Sequence, residues 1–234
     1  MLLFGFNPVL IAAAIIPALA LLLYVYRSDR LEKESPQLIK SLVLAGVTAT
    51  LLATVTERLG SDLLSGLYRS NPTLWRALTY FLIVGLSEEG FKYLVLYRRT
   101  WRSPEFNCQY DGVVYAVSVS LGFALWENIG YVMMYGFGTA LVRAVTAVPG
   151  HACFGVFMGV WYGAARRMEN LDDRPWSLGC RIVSVLLPTL LHGTYDYIAS
   201  TDTGSEWTFI VFVLCLFAAA WLTVRRMSAK DRCI

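Results

Sequence analysis

The chain has 234 residues, of which 56% are hydrophobic and only 16% charged, with a net charge of +3. Soluble domains carry about 25% charged residues, so the composition excludes an ordinary soluble domain and reads as an integral membrane protein. The small, scattered charge gives no footprint for nucleic acid, and five cysteines without CxxC spacing indicate no disulfide framework. The expected fold class is therefore all-α, a polytopic membrane protein with about seven transmembrane helices and a polar site inside the bundle. No polar block is long enough to fold separately, so a single domain is expected over 1–234, its motif-bearing core at about 74–200. The N-terminus is apolar but lacks a basic n-region and a cleavage site, and reads as a retained first helix.

Runs long enough to cross a bilayer, about 17–25 residues, fall at roughly 8–26, 38–57, 74–97, 110–135, 140–165, 181–200 and 207–225. Fifteen basic residues fall in the loops after the first, third and fifth runs, at the sixth helix start and in the tail; Arg58, Arg69, Arg76 and Arg143 fall on the other side. The positive-inside rule then puts the protein in the cell membrane, multi-pass, with the N-terminus outside and the C-terminus cytoplasmic.

Several ionisable groups interrupt these runs. One at the bilayer centre costs roughly 2.5–3.5 kcal/mol, so they are read as one functional site. The third run carries Glu88 and Glu89, with Lys92 at i+4 and i+3, in reach of both carboxylates. The fourth carries Glu127 beside Asn128, flanked by Gly122 and Gly130, which are expected to permit close helix approach. By 1.5 Å rise per residue, Glu127 is expected to lie shallower than the other groups, nearer the outer surface. The fifth carries His151 ahead of Gly155, Gly159 and Gly163, a small-residue packing stripe. The sixth carries His192 and Asp196 at i and i+4, so the carboxylate can orient the ring. Pro149 and Pro188 shortly precede the two histidines, where a kink would open room for a site.

These groups include no obvious nucleophile: GxSxG and Ser–Lys motifs are absent, and Cys153 does not share a face with His151. What remains is water activation, either directly by a glutamate with histidine or asparagine support, or through a divalent metal bound by Glu and His. HExxH is absent, and two histidines cannot supply three His ligands, but a His2Glu zinc site remains open.

Taken together, EEGFK from Glu88, DGVVY from Asp111, LGFALWENIGY with Glu127, Asn128 and Tyr131, His151 with Gly159 eight residues on, and HGTYD from His192 to Asp196 resemble the PrsW family of intramembrane proteases. That family is related to the type II CAAX prenyl endopeptidase and bacteriocin-immunity protease group. The resemblance covers about half the chain. It implies proteolysis of membrane-associated protein substrates, anti-sigma factors among them, by a glutamate-activated water with histidine support. Lys92 and Asp196 depart from the CAAX pattern and agree with the PrsW branch.

The expected catalytic residues are Glu88, Glu89, His151 and His192, with Glu88 or Glu89 as the base. Lys92, Glu127, Asn128 and Asp196 are the supporting set. The preferred reading requires no cofactor. Its alternative is a zinc metalloprotease in which Glu88, Glu89, His151 and His192 bind the ion. A proton-coupled transporter and a non-catalytic scaffold are the readings from other classes. The expected partners are a membrane protein substrate and the lipid bilayer, with no nucleic acid.

Overall fold

The computed structural model describes residues 8–200 and 206–234. The N-terminus, expected outside the cell, lies beyond the described residues, as do the side chains of 8–10 and of Arg69. Among the described residues, nine α-helices and one π-helical segment follow in order: α1 (Pro8–Ser28), α2 (Pro36–Ser70), α3 (Pro72–Ala77), the π segment (Leu78–Gly85), α4 (Leu86–Thr100), α5 (Asp111–Tyr135), α6 (Phe137–Val145), α7 (Ala147–Asn170), α8 (Arg174–Ala199) and α9 (Glu206–Ala229). Among the described residues there is no strand, only an isolated antiparallel bridge between Cys108 and Cys233.

Sequence sets the helix starts locally. Ser35 Oγ accepts from Leu38 N at 3.3 Å, Asn71 Oδ1 from Leu74 N at 3.0 Å and Asp173 Oδ1 from Trp176 N at 3.3 Å. Each of these N-caps is followed by a proline in the first two helical positions, where its missing N–H costs nothing. Pro149 is likewise in the first turn of α7. No kink is required there, contrary to expectation, because the helix has only just begun.

Five stretches are long and apolar enough to cross a membrane: Ile11–Ser28, Pro36–Tyr68, Asp111–Tyr135, Phe137–Asn170 and Glu206–Ala229. The expected runs at 74–97 and 181–200 are not among them. The first is divided between α3, the π segment and α4, and α8 is diluted by His192 and Asp196. The fifth expected run is two helices, broken at Thr146. Helix α2 continues to Ser70, well past Glu57 and Arg58, where the apolar run ends.

α5 is the central helix, packed by α1, α2, α4, α6 and α7, and its first fourteen residues are all buried. By contrast α1, α2 and α9 expose Ile16, Leu44, Leu63 and Leu214, side chains that suit lipid. The expected glycine stripe of α7 is the α5 interface. A Cβ at Gly159 would stand 2.4 Å from the Gly112 carbonyl oxygen and the Val113 Cα, so only hydrogen allows the two backbones to meet. Gly122 meets α2 in the same way, its Cβ position 2.1 Å from the Val43 carbonyl oxygen. Gly130 faces open space and packs against nothing, contrary to expectation.

Two loops and the tail close one end of the bundle. Gln109 N donates to the Arg232 carbonyl at 3.1 Å, Ile234 N to the Asn107 carbonyl at 2.7 Å and Tyr115 Oη to Glu34 at 2.7 Å. The opposite end is built from the C-terminal halves of α5 and α8 and the start of α7.

These contacts predict that Gly159→Val lowers the thermal unfolding midpoint in detergent, with an overpacking cost of about 1–3 kcal/mol. Gly130→Ala should leave the midpoint unchanged or raise it, by up to about 1 kcal/mol from helix propensity.

Candidate functional site

The π segment and α4 bring the first group of polar residues into the bundle. Glu88, Glu89 and Lys92 occupy adjacent turns of α4, as their spacing requires, and all three are buried. Glycines let α8 lie against this segment. Gly85 passes under the Thr189 carbonyl, and a Cβ at Gly193 would meet the Phe81 ring at 2.5 Å. Gly193 is thus a packing residue. The close approach carries His192 to Glu89.

Lys92 is at the centre. Its Nζ lies 2.7 Å from Glu89 Oε1, 3.3 Å from Glu88 Oε2 and 2.9 Å from His151 Nδ1. An ammonium only donates, so His151 Nδ1 accepts. The proton of that ring then sits on Nε2, which donates to Glu127 Oε2 at 2.9 Å. The Phe123 ring face covers the ammonium at 4.0 Å.

His192 meets the same cluster from α8. Nδ1 donates to Glu89 Oε1 at 2.9 Å and lies 3.8 Å from Glu88 Oε2, while Nε2 is 3.4 Å from Asp196 Oδ2. Phe154 stacks on its ring at 4.8 Å, and the His151 ring stands edge-on at 5.2 Å. Glu89 Oε1 therefore takes two donors, whereas Oε2 is buried without a partner.

Glu127 is not set apart at the outer surface, as the helix-rise argument expected. α7 starts only four residues before His151, so His151 and the C-terminal half of α5 meet at one depth. Glu127 Oε2 also accepts from Arg143 at 2.8 Å. Arg143 in turn donates through Nε to Asn128 Oδ1 at 3.1 Å and covers the Tyr131 ring at 4.0 Å. Asn128 Nδ2 donates to the Ala14 carbonyl at 3.1 Å. Both polar ends of Asn128 are thus engaged in tying α1, α5 and α6 together.

A cavity of about 350 Å³ opens beside this network, lined by Glu57, Glu88, Glu127, Arg143, His151, His192 and Asp196 among others. Glu89, Lys92 and Asn128 are behind its wall. Two charged lining residues escaped the sequence reading. Glu57 stands where the second apolar run ends, and Arg143 counts only as a basic residue of the outer side until α6 is recognised as a separate helix. Only their isolation as charges within apolar sequence could have flagged them.

One ligand atom from each of Glu88, Glu89, His151 and His192 falls within 4.8 Å of the others. Imidazole and carboxylate suit zinc, and the orphaned Glu89 Oε2 is an unused acceptor at the same place. The donor set fits such an ion. Lys92 engages three of these four residues, so ion and ammonium compete for them.

The family model described as "PrsW family intramembrane metalloprotease" matches residues 33–222. A protein named Protease PrsW from Geobacillus kaustophilus is 36% identical over 224 residues, 95% of this chain and 94% of that one. Proteins of the same name from Halalkalibacterium halodurans and Bacillus subtilis are 34% and 32% identical, each over at least 95% of both chains. No solved structure matches significantly.

Removing Lys92 strands buried carboxylates, and breaking a buried pair from one side costs about 3–5 kcal/mol. Lys92→Met should therefore lower the thermal midpoint strongly. Arg143→Gln, at the partly exposed edge of the network, should lower it far less.

Proposed function

The chain belongs to the PrsW intramembrane protease family, and on that premise we propose that it cleaves peptide bonds of membrane-associated proteins with a water activated by Glu88. The observation that carries this assignment is the division of labour within the glutamate pair. Glu88 lines the cavity, while Glu89 is enclosed behind it by Lys92 and His192.

On this reading Glu88 takes a proton from the water as its oxygen attacks the scissile carbonyl carbon. His192, as an imidazolium that keeps its Nδ1–H on Glu89, donates the Nε2–H, which has only a loose 3.4 Å partner in Asp196, to the developing oxyanion. The proton on Glu88 then passes to the leaving amine as the C–N bond breaks. His151 acts through its neighbours: it links Lys92 to Glu127 and fixes the cavity wall. Asp196 orients His192, and Asn128 positions Arg143.

A second reading draws on the family description and on the four converging donor atoms. Glu88, Glu89, His151 and His192 would hold a zinc ion. When bound, such an ion lowers the pKa of its water and polarises the carbonyl. Both readings put the reacting water beside Glu88.

We also propose seven membrane crossings: the five apolar stretches, the α3–α4 segment and α8. The lining of Arg143, Ala147, Ala199 and Ser200 opens the cavity toward the end opposite the basic loops. With those loops cytoplasmic by the positive-inside rule, the cavity faces the outer side. Membrane-anchored proteins with a scissile bond near that face, anti-sigma factors included, fit as substrates.

Cleavage of a membrane-anchored peptide library should fall about 10²–10⁴-fold in Glu88→Gln, the range general-base loss produces. Glu89→Gln should retain more activity and lose more thermal stability. Full cleavage by Glu88→Gln would contradict the assignment. Chelator treatment separates the readings: activity lost and restored by zinc, with zinc content abolished in His192→Ala, selects the metal version, and activity retained by metal-free protein selects the direct one.

A further inference from the structure

At the end of the bundle closed by the loops and the tail, far from the cavity, three carboxylates converge. Asp29 follows α1, Glu34 precedes α2 and Asp111 opens α5. They are 3%, 3% and 0% exposed, and one oxygen from each lies within 4.8 Å of the others. Like charges this close repel strongly in a low-dielectric setting.

Among the described residues no cation bonds to any of the three, and the donors present are too few for six oxygens. Asp111 Oδ2 accepts from Asn107 N at 3.0 Å and Cys108 N at 2.6 Å, and Glu34 Oε2 accepts from Tyr115 Oη at 2.7 Å. The remaining oxygens, Asp111 Oδ1, Glu34 Oε1 and both oxygens of Asp29, are buried without a hydrogen bond of good geometry: only the backbone N–H groups of Leu31 and Glu32 approach Asp29, and the carboxyls of Glu34 and Asp111 face each other. Asp231 Oδ2 and Asn107 Oδ1 are in the same condition. Lys33 is the neighbouring cation, yet its ammonium donates to the backbone carbonyls of Tyr26, Arg27 and Asp29 rather than to these carboxylates. A buried carboxylate with neither oxygen well bonded is rare in a folded protein. A cluster with only acceptors turned inward is what a metal ion takes.

We propose that Asp29, Glu34 and Asp111 form a binding site for a hard divalent cation, separate from the catalytic cavity. Its donors are all oxygen, which suits Mg²⁺, Mn²⁺ or Ca²⁺ over softer metals. Two oxygens bound to one such ion at about 2.0–2.6 Å stand at most about 5 Å apart, in keeping with the spacing here. The ion would join the α1–α2 connection to the start of α5. Through Asp231, which accepts from Tyr110 N at 2.8 Å, the tail joins the same unit. Asp111 also comes within 4.8 Å of Glu32 and Cys108, but Glu32 is exposed, and this pair would favour zinc.

The test uses the purified full chain in detergent, stripped with chelator and titrated with Mn²⁺ while free Mn²⁺ is followed by electron paramagnetic resonance. Peptide cleavage plays no part in the readout, so failure here leaves the protease reading untouched. A Mn²⁺ ion that persists in His151→Gln and weakens at least tenfold in both Asp29→Asn and Glu34→Gln supports the site. A rise of the wild-type thermal midpoint with Mn²⁺, absent in Glu34→Gln, supports it without requiring Asp29→Asn to fold. Wild type that binds no Mn²⁺, Mg²⁺ or Ca²⁺ at millimolar concentration overturns it, as does binding that both substitutions leave intact. Zinc bound in preference and lost in Cys108→Ser moves the ion to the neighbouring cluster and also overturns it.

Discussion

One ammonium inside the bundle determines how the site can be built. Lys92 holds Glu88, Glu89 and His151 with its three protons, and through them gathers α4, α7 and, by way of His192, α8. Without a positive charge there, two carboxylates on adjacent residues could not share a low-dielectric interior cheaply. The same contact fixes which nitrogen of His151 accepts, and so lets Glu127 on α5 join the network from the far side of the ring. The polar centre is thus one connected unit spread over four helices, and close backbone contacts at Gly159, Gly85 and Gly193 give those helices their spacing.

The network also separates two chemically similar residues. Neighbours on a helix point about 100° apart, so one turn of α4 can present Glu88 to water while Glu89 stays on the packed side. That separation is invisible in the string EEGFK, where the two glutamates are equivalent. It depends on which face α8 covers, and so on Gly193 accepting the Phe81 ring.

Much of the centre was legible because local spacing encodes it. The i+3 and i+4 contacts of Lys92 and the i+4 contact of His192 with Asp196 follow from helix geometry alone. The glycine stripe of α7 announces a packing face for the same reason. What local spacing could not supply was depth and partner. The short helix α6 delays the start of α7, so His151 comes level with Glu127, and this junction is also what turns Arg143 inward. The π segment left no mark in the apolar run that contains it, and Gly130 looked like Gly122 until the neighbouring helices were in place. The two expected runs missing from the five apolar stretches are those that polar site residues interrupt, Glu88, Glu89 and Lys92 in α4 and His192 and Asp196 in α8.

The central claim is that the cavity beside Glu88 is where peptide bonds are cut. Ala199 is exposed and on its rim, outside the polar network. The most direct test is cleavage of a membrane-anchored substrate by Ala199→Cys in an otherwise cysteine-free chain, before and after attachment of a bulky maleimide. The account predicts full cleavage before labelling and loss of cleavage after it, with the unsubstituted cysteine-free chain unaffected by the reagent. Undiminished cleavage with the rim fully labelled would contradict it.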